Sequence, residues 1–168
     1  NGVSTSKSIQ VKEPTIKLDR ETANIYPPAT KTVTFTVTVN GVQGNSGVTW
    51  TSGNTKVATV SNGKVTAVGK GTATITAKAN GKLAKAKVTV KDPYANVSPT
   101  SGTIKIGKTL QLTTNYAPAS TGTPSYSSSN KKVATVDSKG VVKGVKAGTA
   151  TITVKANGVT AKAEITVK

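Results

Sequence analysis

Gly71-Thr-Ala-Thr-Ile-Thr-Ala-Lys-Ala-Asn-Gly81 and Gly148-Thr-Ala-Thr-Ile-Thr-Val-Lys-Ala-Asn-Gly158 are one segment written twice, about 77 residues apart, with a single difference, Ala77 against Val154. Within each copy small apolar residues alternate with Thr or Lys. The alternation resumes beyond Asn80-Gly81, where Ala84, Ala86, Val88 and Val90 interleave with Lys85, Lys87, Thr89 and Lys91. Period-two patterns flanking an Asn-Gly pair predict a β-hairpin with a tight primed turn, because Asn and Gly tolerate the positive φ that such a turn needs. With a two-residue turn Ala77 faces Ala84 and Ile75 faces Ala86, so the apolar side chains share one face and the lysines the other. The second copy turns at Asn157-Gly158, with Ala150, Ile152, Val154, Ala161, Ala163, Ile165 and Val167 inward.

The repeat extends upstream. Trp50-Thr-Ser-Gly-Asn-Thr-Lys-Val-Ala-Thr-Val60 aligns with Tyr126-Ser-Ser-Ser-Asn-Lys-Lys-Val-Ala-Thr-Val136, and one inserted residue near Asp137 restores the longer offset. Val33, Phe35, Val37 and Val39 alternate with threonines, and Leu110 and Leu112 with Gln111 and Thr113. Short strands separated by Gly, Asn, Ser and Pro clusters, with no helical period, predict an all-β chain of tandem sandwiches. The expected modules are residues 13–92 and 93–168. A fainter match of Ser8 to Pro14 with Lys87 to Pro93 marks residues 1–12 as the last strand of a preceding module, and the absence of Met agrees with a processed or excised piece. Lys12-Glu13-Pro14 and Lys91-Asp92-Pro93 are short linkers whose prolines hold them extended, which predicts a semi-rigid rod.

The motif of an aromatic with Ser or Thr, then Asn, Val-Ala-Thr-Val, a Gly turn and Gly-Thr-Ala-Thr-Ile-Thr resembles the bacterial immunoglobulin-like domain, group 2. Trp50, Asn54, Val57 to Val60, Gly63, Val65 and Gly71 to Thr76 carry it first, and Tyr126, Asn130, Val133 to Val136, Gly140, Val142 and Gly148 to Thr153 carry it again. Ser98-Pro99 through Ile104 to Leu112 also looks like the family's first strands. Tyr26-Pro-Pro-Ala-Thr-Lys-Thr32 departs from it where the second copy has Ile106-Gly-Lys-Thr109. The resemblance implies immunoglobulin-like sandwiches. In function it points to several settings: adhesins and cell-wall or surface-layer proteins, accessory regions of secreted polysaccharide-degrading enzymes, and phage virion proteins.

The residues narrow the chemistry. There is no His or Cys, and the only acids are Glu13, Asp19, Glu21, Asp92, Asp137 and Glu164. Two facing carboxylates, as a glycosidase needs, are not suggested by their positions in linkers, turns and outer faces. Asp137-Ser138 with Asn130, or Asp19 with Glu21, would be at most fragments of a calcium site. No enzyme activity and no cofactor are expected. No apolar run reaches the roughly 20 residues of a membrane span. Trp50 and Tyr126, at one repeat position, are expected as core aromatics rather than sugar platforms, with Tyr26, Tyr94 and Tyr116 more exposed.

The charge is the remaining signal. Net charge is +17, from 23 Lys and Arg against 6 Asp and Glu, and Arg20 is the single arginine. Lysines on a solvent face protect strands from pairing with other chains; they also attract polyanions. Lys78, Lys85, Lys87 and Lys91, with Lys155, Lys162 and Lys168, are expected on the outer faces of the two hairpins as a polyanion-contact face. Lysines without interleaved aromatics or bidentate arginines give salt-sensitive attraction without base readout, so the expected partners are anionic cell-wall or host-surface polymers and not a specific nucleic acid. Neighbouring modules of the same chain are the other expected partners, and an unpaired strand at residues 1–12 would permit self-assembly by strand addition. The expected role is a spacer or stalk with adhesive contacts on a bacterial cell surface, with a phage virion module or an enzyme's accessory module as alternatives.

Overall fold

The computed structural model describes residues 13–119 and 122–168, so the strand expected at residues 1–12 lies outside the described residues. The described chain contains no α-helix and is built of strands joined by turns; among the described residues no helix is long and apolar enough to cross a membrane. The described chain divides into two compact units, one holding residues 13–23 and 32–89, the other residues 90–168 together with Asn24–Lys31.

The first repeat runs through β1 (Ile16–Leu18), β2 (Thr22–Ile25), β3 (Thr32–Thr34), β4 (Val37–Val39), β5 (Val42–Gln43), β6 (Thr49–Ser52), β7 (Ala58–Ser61), β8 (Lys64–Ala67), β9 (Gly71–Ala79) and β10 (Lys82–Val90). They form a four-stranded sheet, β2-β10-β9-β6, and two three-stranded sheets, β1-β4-β5 and β3-β8-β7. The second repeat comprises β11 (Tyr94–Ser98), β12 (Ser101–Ile104), β13 (Thr109–Gln111), β14 (Thr113–Ala117), β15 (Ser125–Ser128), β16 (Ala134–Val136), β17 (Val141–Gly144), β18 (Gly148–Ala156) and β19 (Val159–Val167). Its sheets are β12-β19-β18-β15, β13-β17-β16 and the pair β11-β14.

Both hairpins turn at the Asn-Gly pairs. Asn80 and Gly81 have φ of 49° and 74°, Asn157 and Gly158 of 53° and 79°, as a primed turn requires. In the second hairpin Val154 pairs with Ala161 and Ile152 with Ala163, the counterparts of Ala77 with Ala84 and Ile75 with Ala86. Two further turns of this kind, at Asn40-Gly41 and Asn62-Gly63, close β4 on β5 and β7 on β8.

The segment Val33 to Val39, expected as one strand, is two. Thr32–Thr34 pairs with β8 and Val37–Val39 with β1, so the chain crosses between sheets at Phe35-Thr36. The second repeat does the same at Leu112, between β13 on β17 and β14 on β11. A crossing residue is bounded by both sheets, and Phe35 and Leu112 are accordingly among the largest fully buried side chains. Around Leu112 the core gathers Val97, Ile104, Val133, Val142, Ile152 and Ile165 from six different strands or their margins. At about 25 cal/mol per Å² of buried apolar surface, these side chains are the principal stabilising term in a domain this small.

The departure at Tyr26 to Thr32 is confined to the connection. Thr30 N–H donates to the Tyr26 carbonyl (2.8 Å) and Tyr26 N–H to the Thr30 hydroxyl (2.9 Å), closing the longer loop while β2 and β3 on either side match β12 and β13. The backbone bonds to β10, Lys87 N–H to Glu21 carbonyl and Lys91 N–H to Ile25 carbonyl, recur as Glu164 to Thr100 and Lys168 to Ile104.

Candidate functional site

The seven lysines expected on the outer hairpin faces are all exposed. In the second repeat the register places Lys155 beside Thr160 on β19 and beside Ser125 on β15, and Lys162 beside Thr153. In the first, Lys78 lies beside Thr49 on β6; Lys85 and Lys87 alternate with buried Ala86 and Val88 on β10, and Lys91 follows that strand. Neither face is purely cationic. Glu164 lies on the second face, beside Thr151 and Ser101, and the Glu21 backbone accepts from Lys87 at the margin of the first. On the same hairpin Lys82 Nζ meets Glu13 Oε2 at 2.6 Å, an exposed pair worth little in water.

Of the residues considered as metal fragments, Asp19, Asp137 and Asn130 are engaged in other bonds. Asp19 Oδ2 accepts from Arg20 Nε and Nη2 at 2.9 and 2.6 Å, and Oδ1 accepts from the Thr36 N–H at 3.0 Å. Burial alone would raise the Asp19 carboxyl, but the Arg20 hydrogen bonds, the Thr36 N–H and the Arg20 charge outweigh it and hold it below its ordinary 3.8. Asp137 Oδ1 accepts from the N–H groups of Lys139 and Val141, at 2.8 and 2.9 Å, and Asn130 Oδ1 from Lys132 N–H at 3.1 Å. These are turn-closing bonds of the Asx kind. Among the described residues no three His, Cys, Asp or Glu side chains converge on a metal site, and no polar or charged residue is buried.

The aromatic position needs correction. Trp50 and Tyr126 are half-buried, not central, because β6 and β15 are the edge strands of their sheets. Tyr126 packs against the core and its hydroxyl shares a hydrogen bond with Thr114 at 2.9 Å. Trp50 has its Nε1 out of solvent with no hydrogen-bond partner. Of the tyrosines expected outside, Tyr94 is exposed, whereas Tyr26 and Tyr116 are half-buried. A groove of about 400 Å³ between β1 and the β9–β10 hairpin is lined by Leu18, Asp19, Arg20, Leu83 and Lys85 among others. The Asp19–Arg20 pair occupies its polar side.

One concentration of charge was not expected. Lys143, exposed at the middle of β17, is flanked in register by Thr109 and Thr135 on an outward row. Gly107 N–H donates to the Gly144 carbonyl and Gly144 N–H to the Lys108 carbonyl, bringing the Lys105–Lys108 connection alongside. Strand periodicity would have placed Lys143 outward; that the connection closes against it is a property of the sheet.

Two tandem immunoglobulin-like sandwiches with exposed cationic faces are the class of protein that this geometry defines. Residues 14–90 and 94–167 each match the bacterial Ig-like domain (group 2), and the chain belongs to that family. It is 33% identical over 150 residues to an uncharacterized protein of Clostridium acetobutylicum, covering 84% of this chain and 15% of that protein. Over 52 residues it is 54% identical to a 3-O-alpha-D-galactosyl-alpha-L-arabinofuranosidase of Bifidobacterium longum subsp. longum, covering 30% of this chain and 5% of the enzyme. The chain thus spans a small part of either relative. Among solved structures, domains 4 and 5 of the S-layer protein SbsC align over 95% of this chain and 99% of that one, at 22% identity and a TM-score of 0.46. The insect immune protein hemolin aligns over 94% of this chain and 50% of its own, at 15% identity and a TM-score of 0.43.

Proposed function

We propose that the chain is a non-catalytic spacer segment of an extracellular bacterial surface protein, whose exposed lysines make electrostatic contact with anionic surface polymers. What supports this reading is the division of labour common to both repeats. Inward positions and turn glycines are matched between them, from Phe35 and Leu112 to Gly63 and Gly140, while polar groups close turns or face water. Such a unit supplies length and a charged surface, not a desolvated reactive group. The test is replacement of residues 14–167 in the full-length protein by an unrelated pair of immunoglobulin-like modules. Retained display and protease accessibility on intact cells support a spacer; loss of function with display intact would mean that a specific site lies in this segment.

The 52-residue match to a glycosidase favours a second reading, an accessory region of a secreted carbohydrate-active enzyme. In that case deleting the segment from the parent would lower activity on polymeric substrate while leaving a soluble small substrate unaffected.

A further inference from the structure

The acids and lysines of this chain are not distributed alike. Glu13 pairs with Lys82, Glu21 lines one groove with Lys85, and Glu164 stands on the second hairpin face. The hairpin sheets therefore collect carboxylates. The opposite sheet of the second repeat does not: residues 105–111 and 131–146, which form β13-β17-β16 and its connections, contain seven lysines and one acid, Asp137. That acid is tied by Oδ1 to two backbone N–H groups.

The two copies differ in where this sheet carries lysine. The core positions agree, with Val57, Ala58 and Val65 standing as Val133, Ala134 and Val142, all buried. Outward positions differ: Thr55, Thr66 and Gly69 of the first copy correspond to Lys131, Lys143 and Lys146. Lys139 lies in the β16–β17 connection, where five residues separate the paired Val136 and Val142 against four between the paired Val60 and Val65 of the first copy. The first copy has Lys64 and Lys70 where the second has Val141 and Ala147, so the exchange is partial, but the second copy keeps the larger excess. All seven of its lysines are exposed. Ile106 and Val145, 55% and 45% exposed, adjoin Lys105 and Lys146, so this surface presents apolar contact as well as charge.

Lysines so placed repel one another, and the repulsion is relieved when a polyanion replaces their small counterions. Lys143 stands on the outward row of β17, with Lys139 in the turn before that strand and Lys146 in the bend after it. We infer that the outer surface of β13-β17-β16, and not the hairpin faces, is the principal contact for a linear polymer carrying a phosphate or carboxylate on each repeat unit. This rests on the polymer-contact part of the proposed function and relocates it.

The test compares two triple variants of equal charge loss. One is Lys139→Gln, Lys143→Gln and Lys146→Gln; the other is Lys78→Gln, Lys85→Gln and Lys87→Gln. Binding to long-chain inorganic polyphosphate and to polygalacturonate is titrated against salt, with circular dichroism to verify folding. The first triple is expected to weaken binding tenfold or more at low salt and to reduce the salt slope by about 2, on the order of 0.7 to 0.9 for each lysine that no longer neutralises an anionic group. The second is expected to change affinity less than twofold. A triple Lys→Arg variant at the first set should retain binding. Comparison of the two polymers shows whether phosphate or carboxylate is preferred. Equal weakening by both triples, or greater weakening by the second, overturns the assignment while leaving polymer contact intact. Wild-type protein that binds neither polymer at physiological salt overturns both, and leaves the spacer reading untouched.

Discussion

Phe35 and Leu112 hold the same place in the two modules. Each is fully buried where the chain crosses between sheets, and each donates its N–H to the carbonyl of the turn glycine below it, Gly63 or Gly140, at 2.9 Å. The equivalence gives the modules a common centre despite their different side chains.

Phe35→Ala is expected to destabilise the first module by about 3 to 5 kcal/mol and Leu112→Ala the second by about 2 to 5 kcal/mol. Calorimetry on each variant tests this: only the transition of the substituted module should move, and a shift of both transitions by equal amounts would contradict separate cores.

Trp50 should matter less than Phe35. Half-buried on an edge strand, it gives up less packed surface on truncation, so Trp50→Ala is expected to cost about 1 to 3 kcal/mol, below the full-burial range. Trp50→Phe removes a buried N–H that has no acceptor and should lie within about 1 kcal/mol of wild type, because relief of the unpaired donor offsets the smaller buried area. Urea midpoints measure both; a loss in Trp50→Phe as large as that in Trp50→Ala would contradict an unpaired indole N–H.

Asp19 makes the first module acid-sensitive in a defined direction. Its folded carboxyl titrates below the ordinary 3.8, so its contribution is fully present above that value and is lost as pH falls through the folded value. Asp19→Asn should accordingly be less stable than wild type at pH 7, with the gap narrowing below about pH 4. A gap independent of pH would mean that the charge contributes nothing.

Gly140 and Gly158 have nearly the same φ, 81° and 79°, but different surroundings. A Cβ at Gly158 meets nothing within 4 Å, whereas one at Gly140 would stand 2.7 Å from the Leu112 carbonyl oxygen and 3.1 Å from the Tyr126 ring. Gly158→Ala is expected to cost about 1 to 2 kcal/mol, the left-handed backbone penalty alone, and Gly140→Ala clearly more. Equal losses in thermal unfolding would refute the close packing at Gly140.

The hairpins, their registers and inward residues were legible in the chain because alternation and Asn-Gly turns are local: a side chain's face follows from its parity and the turn's φ requirement. The same rule applies to Asn40-Gly41 and Asn62-Gly63. Locality ends where a strand changes partners. Val33 to Val39 reads as one alternating run, yet hydrogen bonds from two different sheets divide it at Phe35-Thr36, and only the competing partners β8 and β1 decide that. Edge position, which leaves Trp50 half-buried, is likewise set by sheet order. Charge followed both rules: the sequence made each lysine solvent-facing, but the gathering of Lys105, Lys108, Lys143 and Lys146 around Gly144 depends on backbone hydrogen bonds between segments far apart in the chain. Such neighbours are made by tertiary closure, where distance along the chain no longer predicts distance in space.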